Sequence, residues 1–318
     1  MKYCIGVDLG GTNIAVGLID SDSKRIVEKH SVKTNAPRPC EEISKDIYDV
    51  CLELCRRAGI SLSEVAWIGV ATPGIVKDGV VISAVNLGWT NVPFGKILAE
   101  ISQRPTYVAN DANAAAYAEA MWGSGAGEDS VIAITLGTGV GGGIVLGGRI
   151  WEGINGFAAE LGHMVVDVGG RACACGQRGC LEVYCSATAL VSEAKRMMKL
   201  YPDSLMWQLS AEHQGRVNGI IPFTAHRQGD YAATQVVEDF IDYLAIGIAN
   251  IINMFQPAVV CVGGGISGEG ENLMRPLREK LKYISFGTNN CRTRVVAAQF
   301  RNDAGIIGAG LLGFMKEK

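Results

Sequence analysis

One pattern is written twice in this chain of 318 residues. The apolar run Tyr3–Val7 leads into Asp8-Leu9-Gly10-Gly11-Thr12-Asn13 and a second apolar run, Ile14–Ile19. Further on, Val131–Leu136 leads into Gly137-Thr138-Gly139 and then Gly142–Leu146. A strand, a glycine turn and a strand, repeated in one design, predict two related lobes rather than one continuous core. At 33.7 kDa the chain is long enough to bury both.

Around the first unit the reading continues with a strand Ile26–Val32. A helix follows, its apolar face carrying Ile43, Ile47, Val50, Cys51, Leu54 and Ala58 and its end marked by Gly59. A strand Val65–Ala71, the turn Thr72-Pro73-Gly74, a helix Phe94–Ser102, a strand Thr106–Ala109 and a helix opening at Asn110-Asp111-Ala112-Asn113 complete the pattern. It predicts a largely parallel sheet led by an antiparallel meander. Gly123-Ser124-Gly125-Ala126-Gly127 reads as a boundary, so the expected division is a first lobe over 1–123, rejoined by a C-terminal helix at 303–318, and a second lobe over 124–302. Helices over Ala187–Lys199 and Tyr231–Phe255 and a strand Ala258–Val262 are expected in the second lobe.

Composition narrows the function classes. With 48% hydrophobic and 19% charged residues, a formal net charge of −3 and no run of Lys or Arg, the chain is expected to be soluble, to bind no nucleic acid and to act on a small molecule. Ten cysteines without a disulfide framework, and no signal-peptide pattern in Met1–Val7, point to the cytoplasm. Val131–Gly148 lacks charge for 18 residues, but seven of them are glycine, so two strands about a tight turn are expected there and no membrane partner.

His163, Cys173, Cys175 and Cys180 lie within eighteen residues, enough to close a Cys₃His zinc site, with Gly176 and Gly179 allowing the loop to double back. Four protein ligands leave no open position, so such a zinc is structural, and its task is to fix His163, Glu160 and Glu182 around something else. The alternative is three buried small hydrophobes, or a disulfide and a spare thiol, although Cys173-Ala174-Cys175 is too tight to pair readily with itself.

Asp8 stands at a strand end before a turn whose glycines let backbone N–H groups approach a phosphate; Asp8 can hold Mg²⁺ and Thr12 can bond a phosphate oxygen. The alternative is a plain hairpin turn. Gly137-Thr138-Gly139 is a second turn of that type, and Gly263-Gly264-Gly265 suits a nucleoside lying against bare backbone. Neither a Walker A loop nor a dinucleotide fingerprint is present. Asp111, at a strand end where a helix begins, can orient a sugar hydroxyl and accept its proton, or can merely cap the helix.

Taken in order, Asp8-Leu9-Gly10-Gly11-Thr12, Thr72-Pro73-Gly74, Asn110-Asp111-Ala112-Asn113, Leu136–Gly143, Glu160-Leu161-Gly162-His163, Cys173–Glu182 and Gly263-Gly264-Gly265 resemble the ROK family of sugar kinases and repressors over nearly the whole chain. The resemblance implies an α/β chain of the actin-like ATPase fold, also called hexokinase-like or ribonuclease-H-like, with two lobes and ATP and sugar in the cleft between them. It implies Asp111 as the catalytic base and Asn110, Glu160, His163 and Glu182 as sugar contacts, with Gly74 and Asn86 as further candidates. Asp8, Gly10, Gly11, Thr12, Thr138, Gly139, Gly264 and Gly265 match the ATP and Mg²⁺ positions, and His163, Cys173, Cys175 and Cys180 the zinc ligands. The implied activity is ATP-dependent phosphorylation of a hexose at its 6-hydroxyl, glucose first, with N-acetylmannosamine, N-acetylglucosamine, allose or fructose as other substrates. A homodimer or homotetramer is expected. A repressor of the family would carry a helix-turn-helix segment ahead of Asp8, for which this sequence leaves no room. A sugar-binding protein without catalysis is the remaining alternative.

Overall fold

The computed structural model describes residues 3–287 and 291–316. In chain order it contains β1 (Tyr3–Leu9), β2 (Asn13–Asp20), β3 (Arg25–Lys33), α1 (Cys40–Ala58), β4 (Val65–Thr72), β5 (Ile75–Lys77), β6 (Val80–Ala84), β7 (Trp89–Val92), α2 (Phe94–Ser102), β8 (Thr106–Asn110) and α3 (Asp111–Met121). Then come β9 (Ser130–Leu136), β10 (Val140–Leu146), β11 (Arg149–Ile150), α4 (Glu182–Cys185), α5 (Ala187–Leu200), α6 (Leu205–Glu212), α7 (Ile220–Arg227) and α8 (Tyr231–Phe255). β12 (Val259–Gly263), α9 (Glu271–Ile284), β13 (Arg294–Ala297) and α10 (Ala304–Lys316) complete the chain. Among the described residues no helix is long and apolar enough to cross a membrane, and Val131–Gly148 falls on β9, β10 and the turns flanking β10.

Two five-stranded sheets share one plan. Their orders are β3-β2-β1-β4-β8 and β11-β10-β9-β12-β13. In the first, β1, β2 and β3 form the expected antiparallel meander and β4 and β8 add in parallel; in the second, β12 and β13 are parallel.

By contacts the chain divides into one unit of Met1–Val131, Gly143–Ala159 and Phe300–Lys318 and another of Ile132–Gly142 and Glu160–Gln299. The division expected from sequence has all of 124–302 in the second lobe; the two differ at 124–131, 143–159 and 300–302, and 143–159 is the longest of these. The reason is local: Gly143 lies against Ala112, Asn113 and Ala116 of α3, where a Cβ has no room. Of the ranges expected from sequence, positions 1–2, 288–290 and 317–318 lie outside the described residues.

In the first unit Ile5, Val7, Ile14 and Val16 pack with Ile43, Ile47, Cys51 and Leu54 of α1. α1 ends where predicted, with Gly59 at φ 70° donating its N–H back to the last turn. The other face of β1 and β4 is covered by α10, so tightly that a Cβ at Gly6 or Gly69 would strike its backbone. Trp67 Nε1 donates to Gly310 O at 2.7 Å, anchoring that contact. A three-stranded hairpin sheet, β5-β6-β7, hangs from the end of β4. In the second unit the long α8 buries one face, Val236, Phe240, Leu244 and Ile248 among it, as its apolar periodicity requires.

Candidate functional site

The first unit gathers its chemistry at the carboxyl ends of its parallel strands, where α/β sheets present ligands. Asp8 is in register with Ala71 of β4, and Ala71 with Ala109 of β8, so Asn110 and Asp111 follow one and two residues past Asp8's level. Asp8 is wedged in place: the start of α10 crosses so closely that a Cβ at Gly305 would lie 2.6 Å from its carboxylate. Burial, reinforced by the negative charge of Asp111, pushes Asp8 up to about 6.

Asn110, not Asp111, caps α3. Its Oδ1 accepts the N–H groups of Ala112 and Asn113 at 2.9 and 3.1 Å, while its Nδ2 donates to Gly74 O at 2.9 Å. The Asp111 carboxylate accepts the Ala112 N–H at 2.8 Å and its own backbone N–H, is hydrogen-bonded to the Asn110 side chain, and stands at an exposed position. Desolvation by the protein around it raises its pKa, against the pull of the Ala112 N–H. The N-cap position of α3 thus belongs to Asn110, and Asp111 is the helix's first residue.

Gly74 adopts φ 90° and is pressed against Ser83 and Ala84 of β6. Its carbonyl thereby holds Asn110, tying the Thr72-Pro73-Gly74 turn to the start of α3. Asn86, in a short 3₁₀ turn after β6, reaches the β1–β2 turn: a Cβ at Gly11 would stand 3.2 Å from its Cβ. In that turn Gly10 donates to Asn13 O at 2.9 Å, and Thr34 Oγ1 donates to Gly10 O at 2.6 Å. Thr12 stays exposed.

The second unit gathers the other set. In the β9–β10 turn Gly137 donates to Gly139 O at 3.0 Å, Ala187 N–H donates to Gly137 O at 2.8 Å, and Thr188 Oγ1 donates to Thr138 O at 2.8 Å. Glu182 Oε2 accepts the Val140 N–H at 2.9 Å and fills the space a side chain at Gly139 would need. Gly264, at φ 84°, lies flush against Leu136 at the end of β9, bringing the third glycine cluster to the same turn, with Gly265 open beyond it.

The Cys/His knot closes beside them. One ligand atom each from His163, Cys173, Cys175 and Cys180 lies within 4.8 Å of the others. Cys173 Sγ and His163 Nδ1 are 3.7 Å apart, and Cys175 and Cys180 Sγ 3.6 Å apart, which are the edge lengths of a tetrahedron with metal–ligand bonds of about 2.0–2.3 Å. Burial and the neighbouring thiols push Cys180 up to about 12, while the Gln177 N–H lowers Cys175. Crowded thiols of this kind suit a cation that takes their protons' place. The donor set and its spacing thus fit zinc and leave no open position.

Gly179 permits the doubling back, since a Cβ there would strike Asp167 O. Leu181 N–H then donates to Met164 O at 2.9 Å, setting Glu182 beside the 3₁₀ turn Leu161–His163. Glu160 precedes that turn with an exposed carboxylate, and Gly162 packs on Val140.

Each predicted residue therefore joins one of two groups: Asp8, Gly10, Gly11, Thr12, Gly74, Asn86, Asn110 and Asp111 in the first unit, and Thr138, Gly139, Glu160, His163, Glu182, Gly264, Gly265 and the cysteines in the second. Sequence reasoning missed Gly305 behind Asp8, and Thr34 and Thr188 behind the two turns. None sits in a recognisable motif; only the small-residue character of Ala304-Gly305 hinted at a close approach.

The sequence profile described as the ROK family matches residues 4–315. This chain belongs to the ROK family. Among ROK relatives it is similar to a glucokinase of Thermotoga maritima, 38% identical over 308 residues that cover 96% of this chain and 95% of that protein. It is 30% identical over 307 residues, 96% of this chain and 76% of the other, to a putative xylose repressor of Caldicellulosiruptor. The crystal structure of a ROK family glucokinase from Streptomyces griseus, in complex with glucose and AMPPNP, superimposes with a TM-score of 0.82 at 36% identity, covering 98% of each chain. The fold is the α/β, actin-like ATPase fold of ROK sugar kinases.

Proposed function

We propose that this protein is an ATP-dependent sugar kinase that transfers the γ-phosphoryl group of ATP to the 6-hydroxyl of glucose. The observation that carries the reading is the state of Asp111: held at the start of α3 by a neighbouring cap, at an exposed position and with a raised pKa. Relatives named glucokinases that match nearly end to end supply the substrate.

In this reading Asp111 accepts the proton of the sugar hydroxyl as its oxygen bonds to phosphorus and the bond to ADP breaks; the proton is then released to water. Its raised pKa makes it a better acceptor than an ordinary carboxylate. Asn110 and Gly74 fix its backbone, and Asn110, whose side chain also bonds the Asp111 carboxylate, lies beside the sugar hydroxyl. Glu160, His163 and Glu182 hold the ring hydroxyls. Gly10, Gly11 and Thr12, with Thr138, Gly139, Gly264 and Gly265, offer backbone and hydroxyl donors to ATP. Asp8 would hold Mg²⁺, which when bound neutralises charge developing on the phosphates. The knot would hold a structural zinc through His163 Nδ1, leaving the other ring nitrogen for sugar. A cytoplasmic homodimer or homotetramer completes the reading.

The test is ADP release by the purified protein with Mg·ATP over a hexose panel. Glucose is expected to give the highest kcat/KM; turnover confined to N-acetylmannosamine, N-acetylglucosamine, allose or fructose would replace it as substrate, and none at all would leave a sugar-binding protein. Asp111→Asn is expected to lower kcat by about 10²–10⁴-fold, with glucose binding retained by calorimetry. Near-normal turnover removes Asp111 from the mechanism.

A further inference from the structure

A cavity of about 390 Å³ opens in the second unit, at the end of β12 away from the glycine cluster. Arg294, on its wall, pairs with Val259 at the start of β12, whereas Gly264 follows the strand's last residue. Five residues at about 3.3 Å each separate the two by about 16 Å. Nothing in the proposed kinase chemistry uses this place.

Among the described residues the floor is apolar, made by Ile252 of α8, Leu281 of α9 and Val295 of β13, while Arg278, Lys282 and Arg294 stand around it and no carboxylate lines it. Outside the lining, Glu271 pairs with Arg278 and Glu279 with Lys282, and Arg294 too has a partner. Deep in the wall, Ser285 is 7% exposed and its hydroxyl has no hydrogen-bond partner. A buried hydroxyl left unpaired costs about 1–3 kcal/mol, so it needs a partner that the protein itself does not provide.

We infer that this cavity is a binding site for a small organic anion with an apolar body, such as an aromatic or short-chain carboxylate, sulfonate or phosphate monoester. The apolar part lies on Ile252, Leu281 and Val295, the charged group meets Arg294 and Lys282, and one of its oxygens accepts the Ser285 hydroxyl. Preformed apolar walls with a few convergent polar groups are the usual make-up of a small-molecule site. The lining includes the last turns of α9, whose first turn follows the Gly265–Glu269 segment, so an occupant touches the helix that leads from the nucleotide-type glycines.

The probe is 8-anilinonaphthalene-1-sulfonate, followed by fluorescence on the whole protein with glucose and a non-hydrolysable ATP analogue saturating, so that kinase-site binding is not read. One saturable site is expected. Arg294→Glu and Lys282→Glu should each weaken it by about tenfold or more, because a like charge then faces the sulfonate. Ser285→Ala should weaken it by about threefold to tenfold, and Val295→Trp should abolish it by filling the floor. Thermal melting of each variant separates lost binding from lost folding; the lysine change, on an exposed helix surface, is expected to melt as the parent does. The assignment is overturned if the parent binds no probe under these conditions, or if Lys282→Glu and Arg294→Glu, both folded, bind it as the parent does.

Discussion

The two glycine turns look alike in sequence and are held by opposite means. The β1–β2 turn is fixed by its own sheet: Thr34, one residue past β3, donates its N–H to Thr12 O and its hydroxyl to Gly10 O. The β9–β10 turn is gripped from 42 to 50 residues away, by Glu182, Ala187 and Thr188 at the starts of α4 and α5. Glu182 directly follows Cys180-Leu181 of the metal knot. The first turn is thus a property of local strand pairing, and the second is only as firm as the knot that delivers Glu182.

The strongest way to break this comparison is to remove a metal ligand. Cys175→Ser is expected to take bound zinc from about one per chain to none and to lower glucose turnover by at least about a hundredfold, since the loop's folding is coupled to the metal. Hydrogen exchange should show residues 136–140 and 182–188 losing protection while residues 9–13 keep theirs. Equal loss in both turns would mean that the second turn is not specially dependent on the knot.

The first turn has an electrostatic weakness instead. Asp8 rises from the ordinary carboxylate value of 3.8 to about 6 in the fold. Well below pH 3.8 it is protonated folded and unfolded and costs nothing. As pH rises from 4 to 6 the unfolded chain releases its proton first, so stability falls, and above 6 the full cost of about 2 pKa units, or about 3 kcal/mol, is present. Asp8→Asn, unfolded by urea without Mg²⁺, should be more stable than the parent by a margin that is small at pH 4.5 and reaches about 3 kcal/mol at pH 7.5. A margin independent of pH would place the strain elsewhere.

This contrast also marks how far the sequence could be read. β1, β2 and α1 were legible because apolar runs and a helical stripe ending at Gly59 are local signals. The metal knot was legible because its ligands are close along the chain. The hairpin β5–β7 was not, since its strands are three to five residues long and mostly half-buried or exposed. Helix α9 was hidden by its charge and by Pro276, although Leu273, Met274, Leu277 and Leu281 give it a buried face. Asn110 and Asp111 are equally good caps by composition; the end of β8 at Asn110 decides between them. Contacts such as Glu182 to Val140 or Asn86 to Gly11 arise only from tertiary packing.

Two substitutions at Glu182 sharpen the difference further. Glu182→Gln keeps an oxygen for the Val140 N–H, whereas Glu182→Ala leaves that N–H unpaired beside the space at Gly139. Both are expected to weaken glucose binding. Only the alanine variant should also raise KM for ATP, by about tenfold, the worth of one charge-assisted hydrogen bond. If both variants move KM for ATP alike, Glu182 does not shape the turn.

The finest comparison pairs the two threonines whose hydroxyls hold turn carbonyls. Thr34 is fully buried and donates to Gly10 O at 2.6 Å; Thr188 is exposed and donates to Thr138 O at 2.8 Å. Replacing either with valine keeps the shape and removes the bond. In the buried case Gly10 O loses a partner that water cannot readily replace, so Thr34→Val should cost about 1 kcal/mol of stability. At Thr188 water takes the hydroxyl's place, so Thr188→Val should stay within about 0.5 kcal/mol. Its mark should appear instead as a small rise in KM for ATP, because the carbonyls of the second turn are held by groups from a distant segment. A larger stability loss at Thr188 than at Thr34 would reverse the assignment of which turn is locally held.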